Sequence, residues 1–404
     1  MLRRKAFKFR LKTDSEIEAS FAQMAGCNRL VWNKTLALQK ERLGNKEYTL
    51  HYVETAKHLK AWKDDPDTDF LKSCHSQTMQ QTLKDLDRAL KDAFSKKSPK
   101  RFPNFKKKGH KDSFRYPQGV KIENRRIFLP KIGWVGFWKS RNIPGIIKNT
   151  TVSRQGKHWF VAIQTEYSVT KPKHPSKSII GIDLGVKQFA TLSNGEVIKP
   201  ESNLKKHSKN LAAAQKSLAK KVKRSSNFNK QKEKVNKIYT KVRNARLDHL
   251  HKVSTKISKN HAVVVLENLK VKNMSRSAKG TKEKPGKCVK AKSGLNRSIL
   301  DQGWGIFKQL LEYKLQWLGG ELILIDPKYT SQRCTKCNHV SSNNRASQSS
   351  FCCMACGHTD HADANAADNI LAAGHAVLAC GEFGLPNLVK QELLVASNSV
   401  PACA

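Results

Sequence analysis

Three acidic residues follow or open apolar segments of this chain, and their types and positions suit metal-ion chemistry. Asp183 ends the segment SIIGID, Glu267 ends AVVVLE, and Asp363 stands near the start of a helical pattern. Asp183 alone could be a turn former, and Glu267 alone could be a solvated strand end. Converging carboxylates repel one another unless divalent cations lie among them. Taken together, the three acids therefore predict a metal-dependent site.

Hydrolysis of a phosphodiester is the chemistry that such a site predicts. Two Mg²⁺ or Mn²⁺ ions about 4 Å apart would activate a water and stabilise the leaving oxygen, and oxygen ligands suit these ions. This reasoning leaves the third acid open, because Asp360 and Asp368 flank Asp363 and Asp360 is also a potential helix N-cap.

The segment GIDLGVK also resembles the first phosphate loop of actin-like kinases and ATPases. That alternative requires a second Gly-rich phosphate loop after a later strand. The segments that follow the later strands here are NLKVKNM and PKYTSQRC, and neither is rich in glycine. The nuclease interpretation is therefore favoured over the kinase one.

The elements that must position the acids follow the order of a ribonuclease-H-like α/β fold. From Ser178 onward the pattern predicts strand, hairpin, helices, strand, helix, strand and helix. In that fold the first strand lies beside the fourth, so Asp183 would face Glu267. A final helix beginning near Asp363 could add the third acid.

The intervening segments complete this prediction. Asn194-Gly195 predicts the hairpin turn, and two basic helical segments cover about 202–223 and 230–258. Residues 273–297, rich in Lys, Ser and Gly, predict a mobile loop. The segment ELILID, ending at Asp326, predicts a third central strand.

Two C-x-x-C pairs between the last strand and the last helix predict a structural zinc site. Four thiolates at this spacing close a tetrahedral shell; the pairs are Cys334 with Cys337 and Cys353 with Cys356. The residue after each pair usually adopts left-handed backbone, which suits Gly357 and is tolerated by Asn338. Cys352 lacks a matching partner and is left out. Other conceivable ligands, unnecessary beside four cysteines, are His339, His358 and His361.

The charge of the chain predicts a polyanionic partner. Its 404 residues carry 76 Lys and Arg against 32 Asp and Glu, a net charge of +44. Such self-repulsion disfavours a compact fold unless a polyanion neutralises it, and nucleic acid is the simplest candidate. An anionic membrane surface is the alternative, but no long apolar run or secretory segment is evident. The clustered cysteines indicate a reducing compartment.

The first part of the chain predicts a β domain with helices inserted into it. Residues 1–12 alternate like a strand, and Ser15 opens a helix with Glu18 as capping-box partner. The helical pattern continues, and between Gln77 and Phe94 its apolar residues share one face. Residues 114–168 predict short strands separated by turns.

These segments together resemble the TnpB family, transposon-encoded RNA-guided nucleases related to type V CRISPR effectors. The matching segments cover nearly all of residues 1–375 and include VWNKTLALQ, PNFKKK, LPKIGWVGF, GIDLGVKQFATLSNG, VVVLENLKVKNM, DQGWGIFKQLLEYK, PKYTSQRCTKC and CGHTDHADANAADNIL. In the family pattern the last acid lies two residues before Asn-Ala-Ala, which selects Asp363. Asn338, where glycine is common, and the extra thiol Cys352 are the departures.

The resemblance implies a RuvC nuclease domain of RNase H-like α/β fold, and a wedge-type β barrel with a helical recognition insert. The implied boundaries are 1–14 and 100–172 for the barrel, 15–99 for the insert, 178–330 and 359–380 for the nuclease, 331–358 for the zinc ribbon and 381–404 for a C-terminal tail. The catalytic acids would be Asp183, Glu267 and Asp363, with Mg²⁺ or Mn²⁺ and Zn²⁺ as cofactors.

The implied partners are a non-coding guide RNA, one protein chain per RNA, and double-stranded target DNA next to a short transposon-adjacent motif. Guide pairing would read the sequence, while the protein holds the backbone in a basic channel. Candidate phosphate contacts on one basic helical segment are Lys205, Lys206, Lys209, Lys216, Lys220, Lys221, Lys223 and Arg224. Gln77 and Gln80, on the helix that resembles the motif-reading helix, are candidate base contacts.

Two further functions remain as alternatives. Some relatives that have lost their acids act as RNA-guided DNA-binding regulators without cleavage, a role that the three intact acids here disfavour. An RNA-binding zinc-ribbon protein of ribosomal type would not need three placed acids. The resemblance and the absence of a membrane signal lead us to expect a prokaryotic, cytoplasmic protein that joins the nucleoid when bound to DNA.

Overall fold

A computed structural model describes residues 1–109, 111–281 and 283–379 of the chain. The contacts within it divide the chain into two compact units, Met1–Thr170 and Lys171–Ala404. The predicted C-terminal tail, residues 381–404, lies outside the described residues.

Antiparallel strands form the β part of the first unit. Their bounds are β1 Leu2–Arg10, β2 Ser113–Tyr116, β3 Lys121–Glu123, β4 Arg126–Leu129, β5 Gly133–Gly136, β6 Ile146–Gln155 and β7 His158–Ser168. They form two sheets, β1-β7-β6-β2 and β3-β4-β5, and a single bridge joins Leu11 to Phe137. The predicted alternation at the start of the chain is confirmed, because Phe7, Phe9 and Leu11 are buried.

Helices occupy the chain between β1 and β2, two strands of the same sheet. They are α1 Ser15–Gly44, α2 Tyr52–Asp64, a 3-10 turn Asp69–Ser73 and α3 Ser76–Phe94. The capping-box prediction at Ser15 was wrong by one residue. Asp14 caps α1 by accepting a hydrogen bond from Ile17 N at 2.8 Å, while Glu18 accepts one from the Thr13 hydroxyl. A carboxylate next to the free amides of the first turn is a strong cap.

A five-stranded mixed sheet forms the centre of the second unit. Its strands are β8 Ile179–Asp183, β9 Ala190–Leu192, β10 Val197–Ile198, β11 Val263–Glu267 and β12 Glu321–Ile325, in the order β10-β9-β8-β11-β12. β8, β11 and β12 run parallel to one another, β9 runs antiparallel to β8, and β10 runs antiparallel to β9. The predicted pairing of the first strand with the fourth is confirmed. The ELILID strand, predicted as central, instead lies at the edge of the described sheet.

Helices connect and cover this sheet. They are α4 Asn203–Ala219, α5 Ser226–Asn260, α6 Val271–Met274, α7 Val289–Gln302, α8 Trp304–Leu318 and α9 Ala362–Ala379. The prediction of a mobile loop over residues 273–297 was wrong for its second part, because α7 begins at Val289. Ile299 of α7 is buried in the same core as Trp304 and Phe307 of α8, so tertiary packing stabilises a helix that the polar sequence obscures.

The last helix, α9, lies directly on the central strands because two glycines leave room for it. A Cβ at Gly181 of β8 would stand 2.4 Å from the carbonyl oxygen of Ala367, and one at Gly374 would stand 2.4 Å from Val265 Cγ2. Both distances are below any normal contact. The close packing brings the first turn of α9 to the edge of the sheet where β8 and β11 end.

Short elements between β12 and α9 enclose the cysteine pairs: a 3-10 turn Ser342–Asn344 and the hairpin strands β13 Ser350–Cys352 and β14 Thr359–His361. Asp360, considered above as a helix cap, therefore lies on a strand. Within the described part of the chain, no helix is both long enough and apolar enough to cross a membrane.

Candidate active site and cysteine cluster

The three predicted acids converge where the parallel strands end. Asp183 is the last residue of β8 and Glu267 the last of β11, and these strands pair in register up to Ile182 opposite Leu266. Their carboxylates therefore leave the sheet at the same edge. Asp363 joins them from the first turn of α9.

Electrostatics show that the acids interact. Burial, together with the negative charges of Glu267 and Asp363, raises the pKa of Asp183 to about 7, against the opposing effect of Arg345. Burial also raises the pKa of Glu267, while the Thr330 hydroxyl opposes the change. Asp360 and Asp368 are not among the groups that shift Asp183. The structure thus brings Asp183, Glu267 and Asp363 together, and leaves the two competing aspartates aside.

The spacing of these acids indicates how metal ions would be held. Among the described residues, the cysteines form the one group of potential ligands whose atoms all lie within 4.8 Å of one another. Three ligands of a single Mg²⁺, each about 2.1 Å from it, would be closer than that. The three carboxylates as placed are therefore more widely spaced than the ligands of one shared Mg²⁺ ion. The net negative charge of the cluster and its oxygen donors fit divalent cations.

A hydrogen-bonded relay holds Glu267 in place, and sequence reasoning did not predict it. The Thr330 hydroxyl donates to Glu267 Oε1 at 2.5 Å. The Thr330 carbonyl in turn accepts from the Asn369 side chain at 3.0 Å, and Asn369 also donates to the Arg333 carbonyl. Asn365, one turn earlier on α9, donates to that same Arg333 carbonyl at 2.8 Å. The relay ties Glu267, the start of the cysteine segment and α9 into one unit.

The other residue missed by sequence reasoning is Arg345. Its guanidinium stands 3.8 Å from Asp363 Oδ1 and donates to the Gln348 carbonyl at 3.2 Å. It lies between the two cysteine pairs, far along the chain from Asp183. No spacing rule identifies such a residue. The i, i+4 placement of Asn365 and Asn369 on one helix face was the signal that could have revealed the relay.

The buried carboxylate of Asp183 predicts a pH-dependent stability in Mg²⁺-free buffer. Its folded pKa of about 7 lies above its ordinary value of 3.8. Between these values the folded chain holds a proton that the unfolded chain has lost. Stability should therefore fall as pH rises through this window, by at most about 1.4 kcal/mol per unit. The free energy of unfolding, measured with urea at pH 5 and pH 8, should decrease less for Asp183→Asn than for wild type. Equal pH dependence of the two proteins would contradict the burial of a charge here.

The four cysteines form a compact cluster that fits zinc. Sγ atoms of Cys334 and Cys356 are 3.7 Å apart, and those of Cys337 and Cys353 are 3.5 Å apart. Four sulfurs at about 2.3 Å from a tetrahedral ion would lie about 3.8 Å from one another. Cys352 lies outside the group of residues that could share the ion.

The backbone of the two pairs repeats the same turn. Asn338 N donates to the Cys334 carbonyl and Gly357 N to the Cys353 carbonyl. The left-handed backbone predicted after each pair is confirmed, with φ of 61° at Asn338 and 68° at Gly357. His339, His358 and His361 are not part of the group whose atoms could share an ion.

The candidate nucleic-acid contacts are placed less uniformly than predicted. Lys205, Lys206, Lys209 and Lys216 lie exposed on α4, but Lys220, Lys221, Lys223 and Arg224 lie beyond its end at Ala219. The prediction that all eight share one helical segment was therefore wrong. The positive φ of Arg224, 70°, marks the turn into α5. Gln77 and Gln80 lie on α3, with Gln80 exposed and Gln77 half-buried.

Family profiles and known proteins match most of this chain. A family profile described as "Probable transposase" matches residues 162–278, and one described as "Cas12f1-like, TNB domain" matches residues 304–370. A profile described as "Helix-turn-helix domain" matches residues 1–47, where the structure has β1 and α1. "Putative RNA-guided DNA endonuclease InsQ" of Escherichia coli K12 is 51% identical, over 97% of this chain and 98% of its own.

More distant relatives also match nearly the whole chain. A "Putative RNA-guided DNA endonuclease" of Streptomyces pristinaespiralis is 31% identical over 98% of each chain. Among solved structures, the "Cas12f1-sgRNA-target DNA complex" matches with a TM-score of 0.55 at 14% identity, over 91% of this chain and 98% of that one. This likeness shows that the chain shares the fold of the Cas12f1 effector.

Proposed function

This chain belongs to the TnpB family of transposon-encoded RNA-guided DNA endonucleases, and we propose that Asp183, Glu267 and Asp363 are its catalytic acids. The observation that carries this proposal is the convergence of the three carboxylates: burial, together with the charges of Glu267 and Asp363, raises the pKa of Asp183 to about 7. A buried acid facing two others is destabilising unless cations are bound, so this arrangement favours a metal site.

The three acids would hold Mg²⁺ or Mn²⁺, which when bound activates a water and stabilises the leaving oxygen of the cut strand. Thr330 keeps the Glu267 carboxylate in one orientation through its hydrogen bond at 2.5 Å. Arg345, 3.8 Å from Asp363, offers planar donors that suit a phosphate group. Its place next to the acids would let it contact the target backbone beside the cut.

The four cysteines would hold a structural Zn²⁺, because the closed shell leaves no open position for chemistry. We propose that this zinc ribbon, residues 331–358, serves to place Arg345 and to support α9. We also propose a wedge domain formed by residues 1–14 and 100–172, with the helices of 15–99 as a recognition insert. The nuclease domain would comprise residues 178–330 and 359–380.

Guide RNA and double-stranded target DNA are the partners of this family, and we propose one protein chain per guide RNA. The net charge of +44 gives the protein the means to hold a heteroduplex by its backbone. Lys205, Lys206 and Lys209 on α4 remain proposed phosphate contacts, as do Lys220, Lys221 and Arg224 in the following turn. Gln77 and Gln80 remain proposed base contacts in the motif beside the target.

Cleavage should depend on the guide RNA. Protein purified in high salt with nuclease treatment should not cut duplex DNA at specific sites. Adding back the RNA that copurifies with the untreated protein, identified by sequencing, should restore cutting only where the DNA matches the guide and carries the adjacent motif. Sequencing of cleaved ends from a randomised DNA library would measure this. Site-specific cutting by the RNA-free protein would instead indicate direct reading of DNA.

A further inference from the structure

The small sheet β3-β4-β5 of the first unit has one buried face and one outward face. Ile127, Leu129 and Val135 fill the inner face and are at most 1% exposed. The alternation of strand side chains then turns Phe128 and Trp134 outward. In a half-buried antiparallel sheet this face is normally polar.

Phe128, which is half-buried, and Trp134, which is exposed, form an aromatic pair. They stand directly opposite each other on β4 and β5, with ring centroids 5.5 Å apart and planes tilted by 58°. Trp134 is 39% exposed within the whole chain, so the described residues leave much of its ring uncovered.

Cations border this aromatic pair. Lys121 of β3 stands opposite Phe128, which makes a row Lys121–Phe128–Trp134 across the three strands. The neighbouring outward row is Glu123, Arg126 and Gly136, so Arg126 stands between an acid on β3 and a glycine on β5. The Lys12 side chain lies over Gly136, where a Cβ would meet its Cδ at 3.3 Å.

We propose that this face, defined by Lys121, Arg126, Phe128 and Trp134, is a base-stacking surface for an unpaired nucleotide of the guide RNA. The inference deepens the proposed function and rests on it. Aromatic rings stack on nucleobases of any identity, and flanking cations contact the neighbouring phosphates. The stacking surface would anchor a single-stranded segment or loop of the guide.

Charge and size favour RNA as the occupant. An apolar protein partner would require a larger uncharged patch than two rings bordered by Lys121, Arg126 and Lys12. The target strand pairs with the guide and so has no free base faces. Unpaired parts of the guide stay with the protein throughout, while the displaced DNA strand becomes single only at a bound target.

Ultraviolet crosslinking of the purified protein with its copurifying RNA tests the proposal. Mass spectrometry should find RNA attached to a peptide containing Phe128 or Trp134. Tyr48, 93% exposed and outside this surface, should not crosslink above background. Crosslinks to this peptide that appear only with target DNA, on the DNA strand, would overturn the assignment to RNA.

Titration of stripped protein with the same RNA gives the second measurement. Trp134→Ala should weaken binding at least about fivefold, because one lost base stack has an effect of this order or more. Its salt dependence should be unchanged, since no phosphate contact is lost. Trp134→Phe should bind like wild type, as should the control Tyr48→Ala. Wild-type affinity of Trp134→Ala, with its thermal unfolding unchanged, would overturn the proposal. Crosslinking and RNA affinity do not depend on the catalytic acids. The stacking surface and the proposed catalytic site can therefore fail independently of each other.

Discussion

Replacement of Asp183 by alanine should abolish cleavage of target DNA while guide RNA and DNA remain bound. The acid is expected to hold catalytic ions, which contribute several kcal/mol to transition-state stabilisation, so the rate should fall at least about a thousandfold. Binding depends on cations spread over a chain of net charge +44 and should not weaken. Cleavage of labelled DNA in Mg²⁺ and a mobility-shift assay measure the two properties.

Matched variants make this test specific. Glu267→Ala and Asp363→Ala should match Asp183→Ala, because all three acids serve one site. Asp360→Ala should cleave normally, because Asp360 lies on β14 and is not among the groups that shift the pKa of Asp183. Full cleavage by Asp183→Ala would remove the assignment. An inactive Asp360→Ala beside an active Asp363→Ala would show that the third acid has been misplaced.

Replacement of Cys334 or Cys356 by serine should release zinc and destabilise the segment that holds it. Their sulfurs stand 3.7 Å apart in the cluster, and a structural zinc ion contributes folding free energy directly. Elemental analysis should find one zinc per wild-type chain and almost none in these variants. The unfolding temperature should fall, and limited proteolysis should cut within residues 331–358.

The same variants should also lose cleavage, because the zinc segment supports the acids. Asn365 and Asn369 attach it to α9 through the Arg333 carbonyl, and Arg345 on it faces Asp363. Cys352→Ser is the matched control, one residue from a proposed ligand, and should keep both zinc and activity. Loss of zinc from the Cys352 variant, with zinc retained by Cys334→Ser, would overturn the ligand set.

Local patterns were sufficient to predict much of the fold. The apolar segments that became β8 and β11, the turn at Asn194-Gly195 and the one-sided helix α3 depend on short-range periodicity. The cysteine pairs were equally evident, since ligand spacing is written directly in the sequence. Errors occurred where packing overrides local pattern. The sequence pattern predicts a loop where α7 forms, and it predicts one helix for the basic segment, which turns after Ala219.

The sequence by itself determined the types of group available: three acids in the right element order, four cysteines in two pairs, and a large positive charge. The tertiary structure decided which groups meet. Gly181 lets α9 approach β8 closely enough for Asp363 to act on Asp183, and only the folded chain brings Thr330 and Arg345 to the acids. Distances between residues far apart in the chain depend on packing, which no local pattern encodes. For the same reason the outward pairing of Phe128 with Trp134 became evident only from strand register.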